Sequence, residues 1–558
     1  VIDKADVCVI GSGAGGGPVA ATLAEAGFEV VLLEKGPWYE RTQFLKDEVI
    51  WCRRPFFRPS LDEEPQVEEY GLGAQARAHR TTHYWNGNLV GGATVLMSGY
   101  FLRLKPHDFR ALSTFGPVED ANVADWPIQY DDLEPYYARI EQEVGVSGEI
   151  VELPEGIADR RSTPGLPQRP MDVHPVATHI DKLLPEAGLH PFPLPRAVLS
   201  RPSGAREACE YAGYCGSYGC TSGAKGSALE VFVPRALATK RCTLRPRAMV
   251  TRLESGEDGR VTRAHWVDRG GDTHTVEARV FVVACQAIET ARLLLNSRGP
   301  KHPQGLANGS GQVGQNLIFS VFGAAHGSFT RDLPEEWSNS AQPFVNRAVQ
   351  DHYVMPDEDG QPQPGGTLSF LLDHPNPIAT GINTALWGAT AKGPVWGRAL
   401  KQRLQRYYRD SVHVKLEAFG DFLPNPHARV RIDQRVRDRH GLPVARVNAY
   451  RHPKSHARVH ALVEKGVEAV RALGAENVRT APHVGGPSVN LVGGTCRFGR
   501  DPATSVLDAD CRAHEADNLF VSDGGFLPSG GAVPFTFTIY ANALRVADRI
   551  IQQLGGAR

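Results

Sequence analysis

Apolar residues cluster in short runs at the start of the chain. Val7, Cys8, Val9 and Ile10 form one unbroken run, and Val30, Val31, Leu32 and Leu33 form a second that ends on Glu34. Short runs of this kind, bounded by turn residues, predict buried strands. Between them lie a glycine-rich segment, residues 11–17, and an alanine-rich segment, residues 18–26, that predicts a helix. Residues 243–253 alternate as a strand, and residues 260–283 give further strands around a turn at Gly270 and Gly271. Residues 280–284 read as a buried strand returning to the first sheet, with a helix from Glu289 to Asn296 after it.

The middle of the chain has a different pattern. Strand-like runs fall at 366–372, 412–419 and 428–432, with a turn at 441–443. Pro453 opens a helix to Leu473 that carries Val459, Leu462, Val463, Val467 and Val470 on one face. In residues 412–418 the apolar positions alternate with His413, Lys415 and Glu417, so one face of that strand is polar. That face either lines a cavity or meets water. A helix is expected from Tyr130 to about Val144, with Asp131 as its cap. Residues 36–80 read as an irregular excursion and 150–204 as loop. The last segment gives a strand at 518–524 and a helix to about Gln553.

The opening segment has specific chemistry. Gly11 permits a tight turn, Gly13 lets main chain approach a pyrophosphate, and Gly16 lets the helix pack close on the strand. The helix N-terminus offers free N–H groups to phosphate, and Glu34, 18 positions after Gly16, can take both hydroxyls of a ribose. This predicts dinucleotide binding on a Rossmann-type unit. The fold class expected is α/β plus α+β. A discontinuous dinucleotide domain (1–105, 205–320 and 485–558) is interleaved with a substrate domain (106–204 and 321–484), an antiparallel sheet backed by helices.

Composition narrows the functional classes. The formal net charge of the 558 residues is -1, which favours neither nucleic acid nor an acidic membrane surface. No apolar run reaches the roughly 18 residues of a membrane span. Nine cysteines, an odd number scattered in a long chain, do not form a disulfide framework and favour a reducing compartment. A cytoplasmic location is expected, or a periplasmic one if a leader preceded Val1. No C-x-x-C-H stands in the chain to attach a haem. The small-residue stretch from Trp85 to Gly99 can lie flat against a planar ligand, or is an ordinary glycine loop.

Several segments in order carry a resemblance: the Gly11 to Glu34 fingerprint, Leu89-Val90-Gly91-Gly92-Ala93-Thr94, Trp126-Pro127-Ile128, Val283-Ala284 with Glu289 to Leu294, Gly494-Thr495-Cys496-Arg497-Phe498-Gly499, and Asn518 to Asp548. The chain resembles the glucose–methanol–choline (GMC) family of FAD-dependent oxidoreductases, and within it the sugar and gluconate dehydrogenase branch. The resemblance implies non-covalent FAD. Its pyrophosphate would lie at Gly11, Gly13, Ala14 and Gly16, its ribose on Glu34 beside Lys35, and its adenine past Val250. Gly91, Gly92 and Thr94 would meet the flavin, with Ala284 in the wall. Asp523 and Gly524 would meet the pyrophosphate and ribitol, and Phe535 and Thr536 the pyrimidine end.

The departures from the family pattern concern catalysis. The column of the usual catalytic His holds Leu491, the column of its His or Asn partner holds Pro534 with Val533 before it, and a His used for covalent flavin attachment would fall at Leu96. Oxidation of a CH–OH group by hydride transfer to flavin N5 still needs a proton acceptor. The candidates are His483, Asn490 and His413, with Lys415 and Glu417 beside the last. The function expected is oxidation of a sugar, glycoside or other polyol, with a protein, a quinone or oxygen as electron acceptor. The alternative is an FAD protein of this fold with non-alcohol chemistry or an electron-transfer role. Cys209, Cys215 and Cys220 can hold a three-iron cluster, as in some relatives. Their wider spacing and Thr221 in place of Pro favour a plain loop of buried thiols.

Overall fold

The computed structural model describes residues 2–51, 57–330, 333–338, 344–374, 376–386, 393–481 and 486–555. Its first sheet has eight strands. Ile2–Ile10 lies at the centre and pairs in parallel with Val30–Glu34 on one side and Thr273–Val283 on the other. Cys242–Pro246 extends one flank and Ala516–Val521 the other, both in parallel. The chain therefore leaves the central strand in opposite directions, which opens a crevice at the carboxyl ends of these strands. The helix Gly16–Glu25 covers one face, with nine of its residues from Gly16 to Ala24 buried.

The second sheet has seven strands. Gln315–Phe329 and Val412–Gly420 form its antiparallel spine, from Val321↔Gly420 to Phe329↔Val412. The helix Pro453–Ala472 packs on both strands through Leu462, Val463, Val467 and Val470. The fit is close: a Cβ at Gly466 would stand 2.8 Å from Leu416 Cδ2. Gln315–Phe329 crosses residue 320, where a domain boundary was expected, and Gly486–Thr495 pairs with it although 485–558 was assigned to the dinucleotide unit.

Three local readings differ from the structure. Residues 36–80 contain two strands, Gln66–Tyr70 and Arg77–Thr81, in a four-stranded sheet with Arg429–Arg437 and Pro443–Asn448. Charge dominates those segments because Glu69 is laced to Arg431 at 2.7 Å and Arg446 at 2.5 Å. Residues 150–204 include the helix Pro175–Leu183, opened by Pro175 and capped by His174, whose ring accepts from the Val176 N–H at 3.1 Å. The strand read across 243–253 is two strands, Cys242–Pro246 and Met249–Ser255, parted at Arg247 with φ +60°. Helix Tyr130–Val144 forms as expected, but Asp132 rather than Asp131 closes it, accepting from the Gln129 N–H at 2.8 Å. Among the described residues no helix is long and apolar enough to cross a membrane.

Candidate active site

The glycines of the first turn separate into two kinds. A Cβ at Gly11 (φ +97°) would stand 2.2 Å from the Ala284 carbonyl oxygen, and one at Gly16 would stand 1.8 Å from the Gly11 oxygen. These positions need glycine so that turn, helix and returning strand can touch. Gly13 is different: its Cβ would meet only Gly92 Cα, at 3.7 Å, and the Gly91 oxygen, at 3.9 Å. Gly92 (φ +56°) approaches it closely, since a Cβ there would stand 3.0 Å from Gly13 Cα, and both glycines line the cavity. Gly91 (φ +88°) turns its missing Cβ toward Leu229, at 2.7 Å.

Hydrogen bonds tie this turn to its neighbours. Glu34 accepts from the Ser12 N–H at 3.0 Å, the Ser12 hydroxyl at 2.7 Å and the Gly36 N–H at 2.7 Å. Burial pushes the Glu34 carboxyl up from its ordinary range, and those donors oppose the shift. Ser12 Oγ in turn accepts from the Gly91 N–H at 2.9 Å, which joins the glycine turn to the 91–94 segment. Asp523 accepts from Thr290 Oγ1 at 2.5 Å and from the Gly525 N–H at 2.7 Å, and burial raises its pKa to about 6. Lys35 binds Glu64 at 2.8 Å and sits 3.5 Å above the Trp85 ring.

All of this surrounds one cavity of about 650 Å³. Gly11, Gly13, Ala14, Glu34, Lys35, Gly92, Thr94, Val250, Ala284, Asp523, Gly524, Phe535 and Thr536 line it. Gly16 and Gly91 stand behind that wall and shape it. The donor set fits FAD on three counts. Gly11, Gly13 and Gly92 present main chain with no side chain to the cavity, so a ligand can lie close against it. The helices Gly16–Glu25 and Thr536–Leu554 both start without a side-chain cap, which leaves N–H donors and positive dipole for anionic groups. The buried Asn86 Oδ1, Asn88 Oδ1 and Tyr100 hydroxyl belong to lining residues and have no protein partner; an unpaired buried polar group is costly until a ligand meets it.

The other wall of the cavity comes from the antiparallel sheet. Lys415 and Glu417 line it and His413 does not. His413 stacks on Tyr407 at 4.1 Å between ring centres and shares a 2.8 Å hydrogen bond with Ser411 Oγ. Lys415 Nζ donates to Glu417 Oε1 at 2.7 Å. Burial alone would lower the Lys415 pKa; the Glu417 carboxylate outweighs it and the net direction is up. His483 lies outside the described residues. So does the side chain of Asn490, whose main chain runs in Gly486–Thr495. That strand carries a wide bulge. Phe319 pairs with Val492 and the next residue, Ser320, pairs with Ser488, so residues 489–491 are extra on one side. Leu491, expected from the sequence in the column of the usual His, lines the cavity.

Tyr100 and His374 are among the lining residues that the sequence does not single out. Tyr100 follows the small-residue stretch directly; burial and the nearby Glu417 push its pKa up. His374, just beyond the strand Gly366–Leu372, bonds the Gly213 main chain and meets Phe344 edge-on at 5.7 Å; burial lowers its pKa. Neither belongs to a repeating pattern in the sequence, though Tyr100 directly follows the small-residue stretch that ends at Gly99.

The cysteine loop touches the cavity through Gly216 and Ser217, whose N–H donates to the Leu96 carbonyl at 2.7 Å. Cys209, Cys215 and Cys220 are free thiols. Cys209 and Cys220 pack against the small cluster of Met171, Val198, Leu199 and Ala224, and burial pushes Cys209 up to about 11. Among the described residues no group of three His, Cys, Asp or Glu side chains is placed to hold a metal.

Comparison with known proteins agrees with this arrangement. Two family models described as GMC oxidoreductase match residues 198–321 and 424–543. The 6'''-hydroxyparomomycin C oxidase of Streptomyces lividus is 30% identical over 99% of this chain and 92% of its own. Paromamine 6'-oxidase of Streptomyces fradiae is 31% identical over 98% and 92%. The 2-methyl-1,2-propanediol dehydrogenase of Mycolicibacterium austroafricanum is 31% identical over 98% and 95%. In fold, a formate oxidase of Aspergillus oryzae RIB40 superposes with a TM-score of 0.64 at 13% identity, covering 99% of this chain and 98% of the other. Pyridoxine 4-oxidase from Mesorbium loti gives 0.59 at 19%, covering 98% of each chain. With the dinucleotide cradle and these full-length matches in hand, the chain belongs to the GMC oxidoreductase family of FAD-dependent enzymes.

Proposed function

We propose that the enzyme oxidises a CH–OH group of a sugar, glycoside or related polyol, and that Glu417 takes the hydroxyl proton in place of the family's His. The names of the relatives support the substrate class: two act on aminoglycosides, one on a diol, and a fructose dehydrogenase large subunit from Gluconobacter japonicus is 26% identical over 99% of this chain. FAD, when bound, supplies the hydride acceptor, and a protein, quinone or oxygen takes the electrons onward.

The observation that carries the reading is the Lys415–Glu417 pair on the cavity wall. Among the described residues Glu417 is the lining carboxylate of this sheet, paired with Ala324 in register. A carboxylate can act as general base; Leu491 and Pro534 cannot. Lys415 holds the carboxylate charge in place, and the unpartnered Tyr100 hydroxyl is free to hydrogen-bond a substrate oxygen. The uncapped N-terminus of Thr536–Leu554 favours negative charge at its end of the cavity.

The test is single-turnover flavin reduction in Glu417→Gln. The isosteric amide cannot accept the proton, so the rate falls by about 10²–10⁴ with flavin content unchanged. An unaltered rate removes Glu417 as the base.

A further inference from the structure

The surface beside the cavity has an unusual helix pair. Pro377–Leu386 carries no charge and none of its residues is buried. Ile378, Ile382 and Leu386, spaced i, i+4, i+8, are 51%, 52% and 54% exposed, and Trp396 is 82% exposed. Gly397–Arg409 packs beside it, and the Val395 N–H donates to the Ala385 carbonyl at 2.9 Å. That second helix turns Leu400, Leu404 and Tyr407 inward and exposes Arg398, Lys401, Arg406 and Arg409. Residues 393–409 contain no acid. Among the described residues none of those four cations has an acidic partner. Glu48 fixes the patch to the 44–50 segment by accepting from the N–H groups of Ile378 and Ala379, and there Leu45, Val49 and Ile50 are exposed as well.

An aliphatic stripe, a bare tryptophan and adjacent unpaired cations are the components of a helix that lies in a lipid interface. We propose that this face seats the protein on a bilayer surface containing anionic lipid. The apolar side chains enter the headgroup boundary and the cations of 397–409 meet the lipid phosphates. The overall charge of -1 hides this local excess of positive charge. Lipid fits better than an acidic protein partner because Ile378, Ile382 and Leu386 are flexible aliphatics along one helix ridge, all half or more exposed. The patch begins three residues past His374, which lines the cavity, so a docked enzyme presents its cavity wall next to the membrane.

The test is vesicle flotation of the FAD-loaded enzyme with phosphatidylcholine, with and without phosphatidylglycerol. The protein floats with the anionic vesicles and not with the neutral ones. Arg398→Gln/Arg406→Gln lowers the partition about 30-fold, at roughly 1 kcal/mol per cation. Ile382→Ser/Leu386→Ser lowers it about tenfold or more. Both variants keep flavin content and turnover, because none of these residues lines the cavity. Absence of vesicle binding by the unaltered protein overturns the proposal, as does binding that neither variant weakens. Self-association without vesicles, lost in the apolar variant, assigns the face to a second copy and overturns it too.

Discussion

Lys415 Nζ and Glu417 Oε1 stand 2.7 Å apart on the cavity face of one strand, each more than three-quarters buried. Two residues i, i+2 on a strand share a face, so the strand itself sets this spacing. If the pair acts as a unit, its members are not additive. Lys415→Met slows flavin reduction by about tenfold on its own, yet adds little in a Glu417→Gln background, because the charge it holds is already gone. Stopped-flow reduction of the two single variants and the double variant measures this. Full additivity shows that the two act separately.

Leu491, which the family pattern puts in the column of the usual His, lines the cavity next to a bulge. Introducing Leu491→His in the Glu417→Gln background restores flavin reduction by at least about tenfold, since a general base of ordinary imidazole pKa then faces the cavity. The readout is again the anaerobic reduction rate. No gain shows that the bulge holds position 491 out of line.

The contrast between Gly13 and Gly16 predicts two different failures. At Gly13 a Cβ makes only ordinary contacts, 3.7 Å from Gly92 Cα and 3.9 Å from the Gly91 oxygen, so Gly13→Val folds but adds side chain to the wall of the cofactor cavity. Flavin content falls at least about tenfold while the apoprotein unfolds near its usual midpoint. Gly16→Ala places a Cβ 1.8 Å from the Gly11 oxygen and lowers folding yield itself. Absorbance ratio and thermal unfolding of both variants separate the two.

Asp421 predicts a pH dependence. One of its carboxyl oxygens is buried without a partner, and desolvation with Asp108 nearby, opposed by Arg458, raises its pKa to about 6. Between pH ~4 and ~6 the folded state holds a proton that the unfolded state releases. Stability from this group therefore falls as pH rises through that window, by up to about 3 kcal/mol. Asp421→Asn removes the loss. Its urea midpoint exceeds that of the parent protein at pH 7.5 and matches or falls below it at pH 4. Equal differences at both pH values contradict this.

The dinucleotide cradle was legible because every part is local. Gly11, Gly13, Gly16 and Glu34 fall within one strand–helix–strand unit, and Ser12 alone links Glu34 to the 91–94 segment. The helix Pro453–Ala472 was legible for the same reason, through its own periodicity. The strands Gln66–Tyr70 and Arg77–Thr81 were not, since the cation that neutralises Glu69, Arg446, lies 377 residues away. The substrate wall was half legible. Alternation put Lys415 and Glu417 with His413 on one face, but alternation cannot say where along the strand the cavity ends. The bulge at 489–491 was invisible because a register slip leaves no mark on composition.

The most direct measurement is an anaerobic absorbance titration of the purified protein and of Glu417→Gln with a panel of sugars, glycosides and polyols. At least one panel member bleaches the oxidised flavin bands of the parent protein within seconds. The variant, with the same flavin content, bleaches about 10²–10⁴ more slowly. Flavin bands that no alcohol bleaches, or a variant that bleaches as fast as its parent, contradict this.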